Sequence, residues 1–149
     1  MKQLLTILAI LFTLTIQAQW SYSGTRYWTP NGNTASGWTS TAMGYFTIAS
    51  GASSTAMGQG TVADGDYSTA MGGGTIASGK GSTAMGGGTI ASGRGSTAMG
   101  TETRASDHSS TVIGQHNKSG STATSATLFS ALAPAFVIGN GVDASNKSD

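Results

Sequence analysis

Few side chains in this sequence are equipped for chemistry, and their spacing argues against most of it. Gly74-Thr75-Ile76-Ala77-Ser78-Gly79-Lys80 imitates the opening of a phosphate-binding loop, in which glycines let backbone N–H groups cradle a phosphate and Lys neutralises it. The motif then requires Ser or Thr, and Gly81 stands there. Arg94 takes the place of Lys80 one repeat later, so the glycines follow a repeat register rather than a nucleotide. Asp107, His108 and Ser109 supply the residue types of a hydrolytic triad. As neighbours on one strand they would point to opposite faces, whereas a base must reach its nucleophile and be oriented by a third group. Asp64 and Asp66 flank Gly65 and could touch calcium, but an oxygen cage needs six to eight ligands. They read as solvated turn residues, and His108 and His116 are too isolated for a metal site. With no cysteine there is no thiolate ligand, sulfur nucleophile or disulfide framework. No catalytic residue, cofactor or metal is expected, and the chain reads as a non-enzyme.

The elements that would position a site are equally unusual. Gly, Thr, Ser and Ala supply 86 of the 149 residues, and charged residues only 9%, against a usual ~25%. An ordinary α/β core of Leu, Ile, Val and Phe cannot be assembled from this. Low charge also argues against a solvated disordered tail. The formal net charge of +1 gives no basis for nucleic-acid binding, which needs clustered Lys and Arg. Met1 to Ala18 has secretory-leader anatomy: Lys2, an apolar run from Leu4 to Ile16, then Ala18 before a plausible cut. A spanning helix needs roughly 20 apolar residues. The mature chain is therefore expected to be exported, with no membrane span.

The middle of the chain repeats every 14 residues. Met43, Met57, Met71, Met85 and Met99 mark the period, each inside Ser-Thr-Ala-Met-Gly, and Ile113 continues it within Ser110-Thr111-Val112-Ile113-Gly114. A second half-repeat, as in Thr47-Ile48-Ala49-Ser50-Gly51, follows each. Fourteen residues are too few for a helix pair but suffice for two short strands and two tight turns. Gly at both half-repeat ends suits the backbone angles that such turns need. Stacked copies would lie ~4.8 Å apart and pair along the stack. The expected fold is all-β: a parallel β-roll, or β-solenoid, of 14-residue coils with two short strands per coil.

Strand alternation sorts the faces. The nearly invariant Ala columns (Ala42, Ala56, Ala70, Ala84, Ala98 and Ala49, Ala63, Ala77, Ala91) suit an interior too narrow for larger side chains. The Ile48 column varies from Thr34 to Arg104 and reads as an outer face. Met43, Met57, Met71, Met85, Met99 and Ile113 then point outward as one apolar stripe, and a subunit interface is the natural cover for it. The opposite packing, with Met inside and Ala outside, is the alternative.

Both half-motifs and the period resemble the head repeats of YadA-like trimeric autotransporter adhesins, closely so from Asn31 to Gly114. The resemblance implies a left-handed roll, a homotrimer and a place on the cell surface. It implies outer-membrane association if an anchor lies beyond Asp149, although no heptad stalk or barrel is visible here. Expected boundaries are a signal peptide over 1–18, an aromatic cap over 19–38, head repeats over 39–114 and degenerate last coils or the start of a neck over 115–149, where the chain reads as a fragment. The weak copy Ser121-Thr122-Ala123-Thr124-Ser125 and the better copy Ala135-Phe136-Val137-Ile138-Gly139 fall in that last part. Trp20, Tyr22, Tyr27, Trp28, Trp38, Tyr45 and Phe46 gather at the front, where a stack end must be covered. The functional expectation is an extracellular adhesin head that attaches to host, matrix or cell surfaces, protein or glycan. Two alternatives remain: the head of a larger fibre, or an ice-binding solenoid using the Thr41 and Thr47 columns.

Overall fold

The computed structural model describes residues 32–117, 125–128, 130 and 135–148, with the backbone of Ser21–Tyr22. The leader, Trp20, Tyr27, Trp28 and positions 121–124 of the weak copy lie outside the described residues. The chain forms a short β1 (Ser21–Tyr22) and then an alternation of two strand types. Two-residue strands are β2 (Thr34–Ala35), β4 (Ile48–Ala49), β6 (Val62–Ala63), β8 (Ile76–Ala77), β10 (Ile90–Ala91) and β12 (Arg104–Ala105). Five-residue strands are β3 (Thr41–Tyr45), β5 (Thr55–Gln59), β7 (Thr69–Gly73), β9 (Thr83–Gly87), β11 (Thr97–Thr101), β13 (Thr111–Gln115) and β14 (Phe136–Asn140). The short strands stack into one sheet, β2 to β12 in chain order, and the long ones into another, β3 to β14. Each strand pairs in parallel with the strand one coil away, so Met57 lies beside Met43 and Met71, and Ala63 beside Ala49 and Ala77. This is a parallel β-solenoid of 14-residue coils. β1 closes the front of the larger sheet by pairing antiparallel with β3.

The interior is made of small residues because two sheets joined by such short turns enclose little volume. Both Ala columns are essentially inaccessible to solvent, from Ala42 and Ala49 through Ala98 and Ala105. The Ser40 and Thr47 columns are buried with them. At the stack ends Ser40 Oγ donates to Gly37 O at 2.8 Å and Ser110 Oγ to Asp107 O at 2.9 Å. Ala70, at 0% exposure, has no room for added carbons. Ala70→Leu is expected to lower the thermal midpoint markedly, since overpacking a tight core costs about 1–3 kcal/mol. Ile76→Thr, at the half-buried outer face, should have a milder effect. Circular dichroism melts of both variants give the comparison, and the reverse order would mean that the interior is not limited by volume.

The glycines serve two purposes, only one of which is turn geometry. Gly44, Gly58, Gly72, Gly86 and Gly100 lie at φ between 119° and 129°, a region closed to other residues. Gly37, Gly51, Gly65, Gly79 and Gly93 do not have positive φ, which corrects the expectation that they supply unusual turn angles. They are needed for close approach: a Cβ at Gly51 would collide with Gly65 O of the next coil, and one at Gly79 with Gly93 O. The last position of that column is Asp107, and among the described residues no further strand of its sheet is stacked above it. The left-handed turn positions come two residues later, and Thr39, Ser53, Tyr67 and Ser109 occupy them at φ 54–58° as readily as Gly81 and Gly95 do at 67° and 65°.

The stack does not keep its period to the end. β14 pairs with β13 in register, Ile113 beside Ile138 and Gly114 beside Gly139, although the two strands are 25 residues apart. Among the described residues no strand stands between β13 and β14 in the large sheet. Part of the intervening chain returns to the roll: Arg94 N–H donates to Ala126 O at 2.7 Å and His108 N–H to Ser125 O at 3.0 Å. Beyond β14, Asp143 closes a turn by accepting from Ser145 N at 2.7 Å, Asn146 N at 2.9 Å and Asn146 Nδ2 at 3.0 Å. The Asn146 amide, then these backbone donors, hold its carboxyl below the usual carboxylate range.

Candidate functional site

The roll presents two outer faces and two turn edges. On the face of the large sheet, Met43, Met57, Met71, Met85 and Ile113 are half-buried and Met99 is 36% exposed. Ile138 on β14 extends the column at 58% exposure. Thr41, Thr55, Thr69, Thr83, Thr97 and Thr111 run beside it, also half-buried. Seven strands at ~4.8 Å spacing make this stripe about 29 Å long. The other face carries Ile48, Val62, Ile76 and Ile90, with Thr34 and Arg104 at its ends. Its apolar column is therefore shorter than that of the Met face.

A family model of the YadA head domain repeat, two copies long, matches residues 35–61, 49–75, 63–89, 77–103 and 91–117. The chain belongs to the YadA head-repeat family. The matches overlap by one coil each and together run unbroken through more than half of the chain. YadA head repeats are non-catalytic structural domains of adhesins, and YadA-type heads are exposed on the bacterial outer membrane. No curated protein and no solved structure matches the chain.

Residues considered for chemistry occupy the turns of this YadA-type roll. Lys80 follows Gly79 in a turn between β8 and β9, so no helix opens behind the glycines as a phosphate loop requires. The separation expected for His108 and Ser109 is not found. They lie in a turn rather than on a strand, and His108 Nδ1 is 2.9 Å from Ser109 Oγ. Among the described residues no carboxylate lies within ion-pair distance of His108; the one ion pair there is His116 Nδ1 with Glu102 Oε2 at 3.8 Å. Asp64 and Asp66 do not converge on a cation site. The Ser50 hydroxyl donates to the Asp64 carboxylate, and Ala52 N–H donates to Asp66 Oδ1 at 3.1 Å. Each carboxylate thus ties its coil to the preceding one. Among the described residues no group of three His, Asp or Glu could hold a metal ion, and no helix is long and apolar enough to cross a membrane.

Two functional positions escaped sequence reading. Asn33 and Asn117 are the first and last members of the buried Thr47 column, one period before Thr47 and one after Thr103. Asn33 Oδ1 accepts from Thr47 N at 3.0 Å and Thr47 Oγ1 at 2.9 Å, while its Nδ2 donates to Gly44 O at 2.7 Å. Asn117 Oδ1 accepts from Arg104 N at 2.8 Å and its Nδ2 donates to Arg104 O at 3.1 Å. A side-chain amide has the donor and acceptor of a peptide group, so Asn117 replaces a missing coil at Arg104, whereas Asn33 ties the first coil to the second. The signal was the 14-residue register itself, followed one step beyond the threonines at each end. Of the aromatic cluster, Trp38, Tyr45 and Phe46 stand on turn edges of the first coils. Trp38 is 80% exposed, and Tyr45 meets Phe46 edge-to-face at 4.5 Å.

Proposed function

We propose that the chain forms a left-handed, homotrimeric adhesin head, exported by its 1–18 leader and attaching to host, matrix or cell surfaces without catalysis. The observation that carries this reading is the uninterrupted Met43–Ile138 column, an apolar stripe about 29 Å long at ~4.8 Å per strand. A continuous apolar stripe on a secreted chain calls for a partner, and a stripe parallel to the roll axis suits three copies arranged side by side. The Ile48 column is a weaker candidate for the axis because Thr34 and Arg104 bound it. Residues 39–114 are the repeats of this head, 19–38 its cap and 115–149 its tail. Many weak contacts repeated along three rolls give useful avidity without a deep pocket.

Light scattering on residues 19–149 at micromolar concentration is the direct test. The expected result is three times the chain mass, and a stable monomer would remove the interface reading. The ice-binding alternative loses one of its two Thr columns, since Thr47, Thr61, Thr75, Thr89 and Thr103 are buried. The remaining column shares its face with Met.

A further inference from the structure

One turn edge of the roll carries a row of basic side chains that nothing in the adhesive scaffold requires. Lys80, Arg94 and His108 occupy the same turn position on three consecutive coils, which parallel pairing sets ~4.8 Å apart. Like charges in register on neighbouring strands disfavour the stack. No carboxylate among the described residues pairs with them. The nearest acidic member of the column, Asp66, is committed to the preceding coil through Ala52 N–H.

The ground beside the row is shaped as well as charged. Gly81 and Gly95 occupy the next turn position, where a Cβ at Gly81 would meet nothing within 4 Å and one at Gly95 only Ser109 Oγ at 3.6 Å. Other residues accept this backbone conformation elsewhere in the column, so the glycines also leave a trough of about 480 Å³, bounded by Tyr67, Lys80, Arg94, His108 and Ser109. Tyr67, 62% exposed, stands at one end with Lys80 Nζ 5.6 Å from its ring centre. The turn N–H groups of this row already take oxygen ligands: a carboxylate at Ala52, carbonyls at Arg94 and His108. Among the described residues the Lys80 N–H has no acceptor.

We infer that the Tyr67–His108 edge binds an acidic polysaccharide, its sulfate or carboxylate groups on Lys80 and Arg94 and a sugar ring against Tyr67. An open trough suits a polysaccharide better than a peptide, whose side chains need enclosed pockets for specificity. A flat aromatic face suits the C–H face of a pyranose. The site lies on a turn edge, separate from the Met column. It names a ligand class for the adhesive reading and rests on that reading.

The test uses the exported chain over immobilised heparin, hyaluronan, polyglutamate and neutral dextran. Heparin binding that falls with salt is expected, and binding to hyaluronan as well would show that carboxylates suffice. The double variant Lys80→Ala/Arg94→Ala should lose about tenfold in affinity. Arg94→Lys should keep most of it, and Arg104→Ala, on the other face, should change little. Tyr67→Ala should lose about fivefold, while Tyr67→Phe, which keeps the ring, should not. Equal binding to polyglutamate, an unchanged affinity in the double variant or an equal loss in Arg104→Ala would overturn the site. Cell adhesion, measured separately, distinguishes the two readings. Adhesion that survives loss of Lys80 and Arg94 removes the glycan site and leaves the head an adhesin. Heparin binding without any cell adhesion keeps the site and removes the adhesive role.

Discussion

Gly72→Ala is expected to cost about 4 kcal/mol or more, enough to unfold much of the roll. Two effects act together. The backbone sits at φ 119°, where an L side chain is strained, and the new Cβ would run into Gly86 O of the adjoining coil. Neither can relax locally, because Gly72 is paired with a neighbouring strand on both sides. Gly74→Ala is the matched comparison. Gly74 has φ 63° with nothing within 4 Å of a Cβ, so only the left-handed backbone penalty of about 1–2 kcal/mol applies. Chemical denaturation of the two variants should separate them by at least 2 kcal/mol. Similar midpoints would mean that the coils can spread apart at low cost.

Met71→Asp is expected to abolish trimer assembly while leaving the single roll folded. Met71 is the third of the seven residues in the stripe, with neighbours on both sides, and its side chain is half-buried within one chain, so a carboxylate there is tolerable in a monomer. At a three-fold axis the same change places three like charges together in a water-poor contact. Each uncompensated buried charge costs several kcal/mol. Light scattering should report a drop from trimer to monomer mass, with the β-rich circular dichroism spectrum retained. Met71→Leu should preserve the trimer. An unchanged trimer in the Asp variant would place Met71 in solvent and move the interface elsewhere.

The regular part of this molecule was legible because every strand repeats its neighbour's sequence. Once Met57 is seen 14 residues from Met43, the parallel pairing, the two strands per coil and the grouping of residues on each face follow from alternation. What was not legible depends on departures from the repeat. The role of Gly51 was misread because a glycine at a half-repeat end looks like a turn residue, whereas the spacing between coils is what excludes a Cβ there. Asp107, His108 and Ser109 were placed on a strand, and the turn that joins His108 to Ser109 was missed. The resumption of the stack at Phe136 could be matched by motif. That β14 follows β13 directly is a fact of hydrogen bonding, invisible to a count of residues. Asn33 and Asn117 break the Thr column by composition and continue it by position, so a search for similar residues passes over them.

The Asn117 amide bears on how the molecule avoids a hazard of its own architecture. Parallel strands of near-identical sequence, in register at one-strand spacing, are the arrangement of a cross-β fibril. Such a fibril grows because its terminal strand leaves unpaired N–H and C=O groups that template the next chain. Here the short-strand sheet meets Asn117 at one end, and Arg104 finds both of its backbone partners on a side chain that cannot propagate the ladder. Asn33, beside β2 in the first coil, bonds inward instead, to Thr47 of the second. The roll is in this sense a fibril of defined length, with growth arrested at one end of its short-strand sheet by a residue of the same polypeptide.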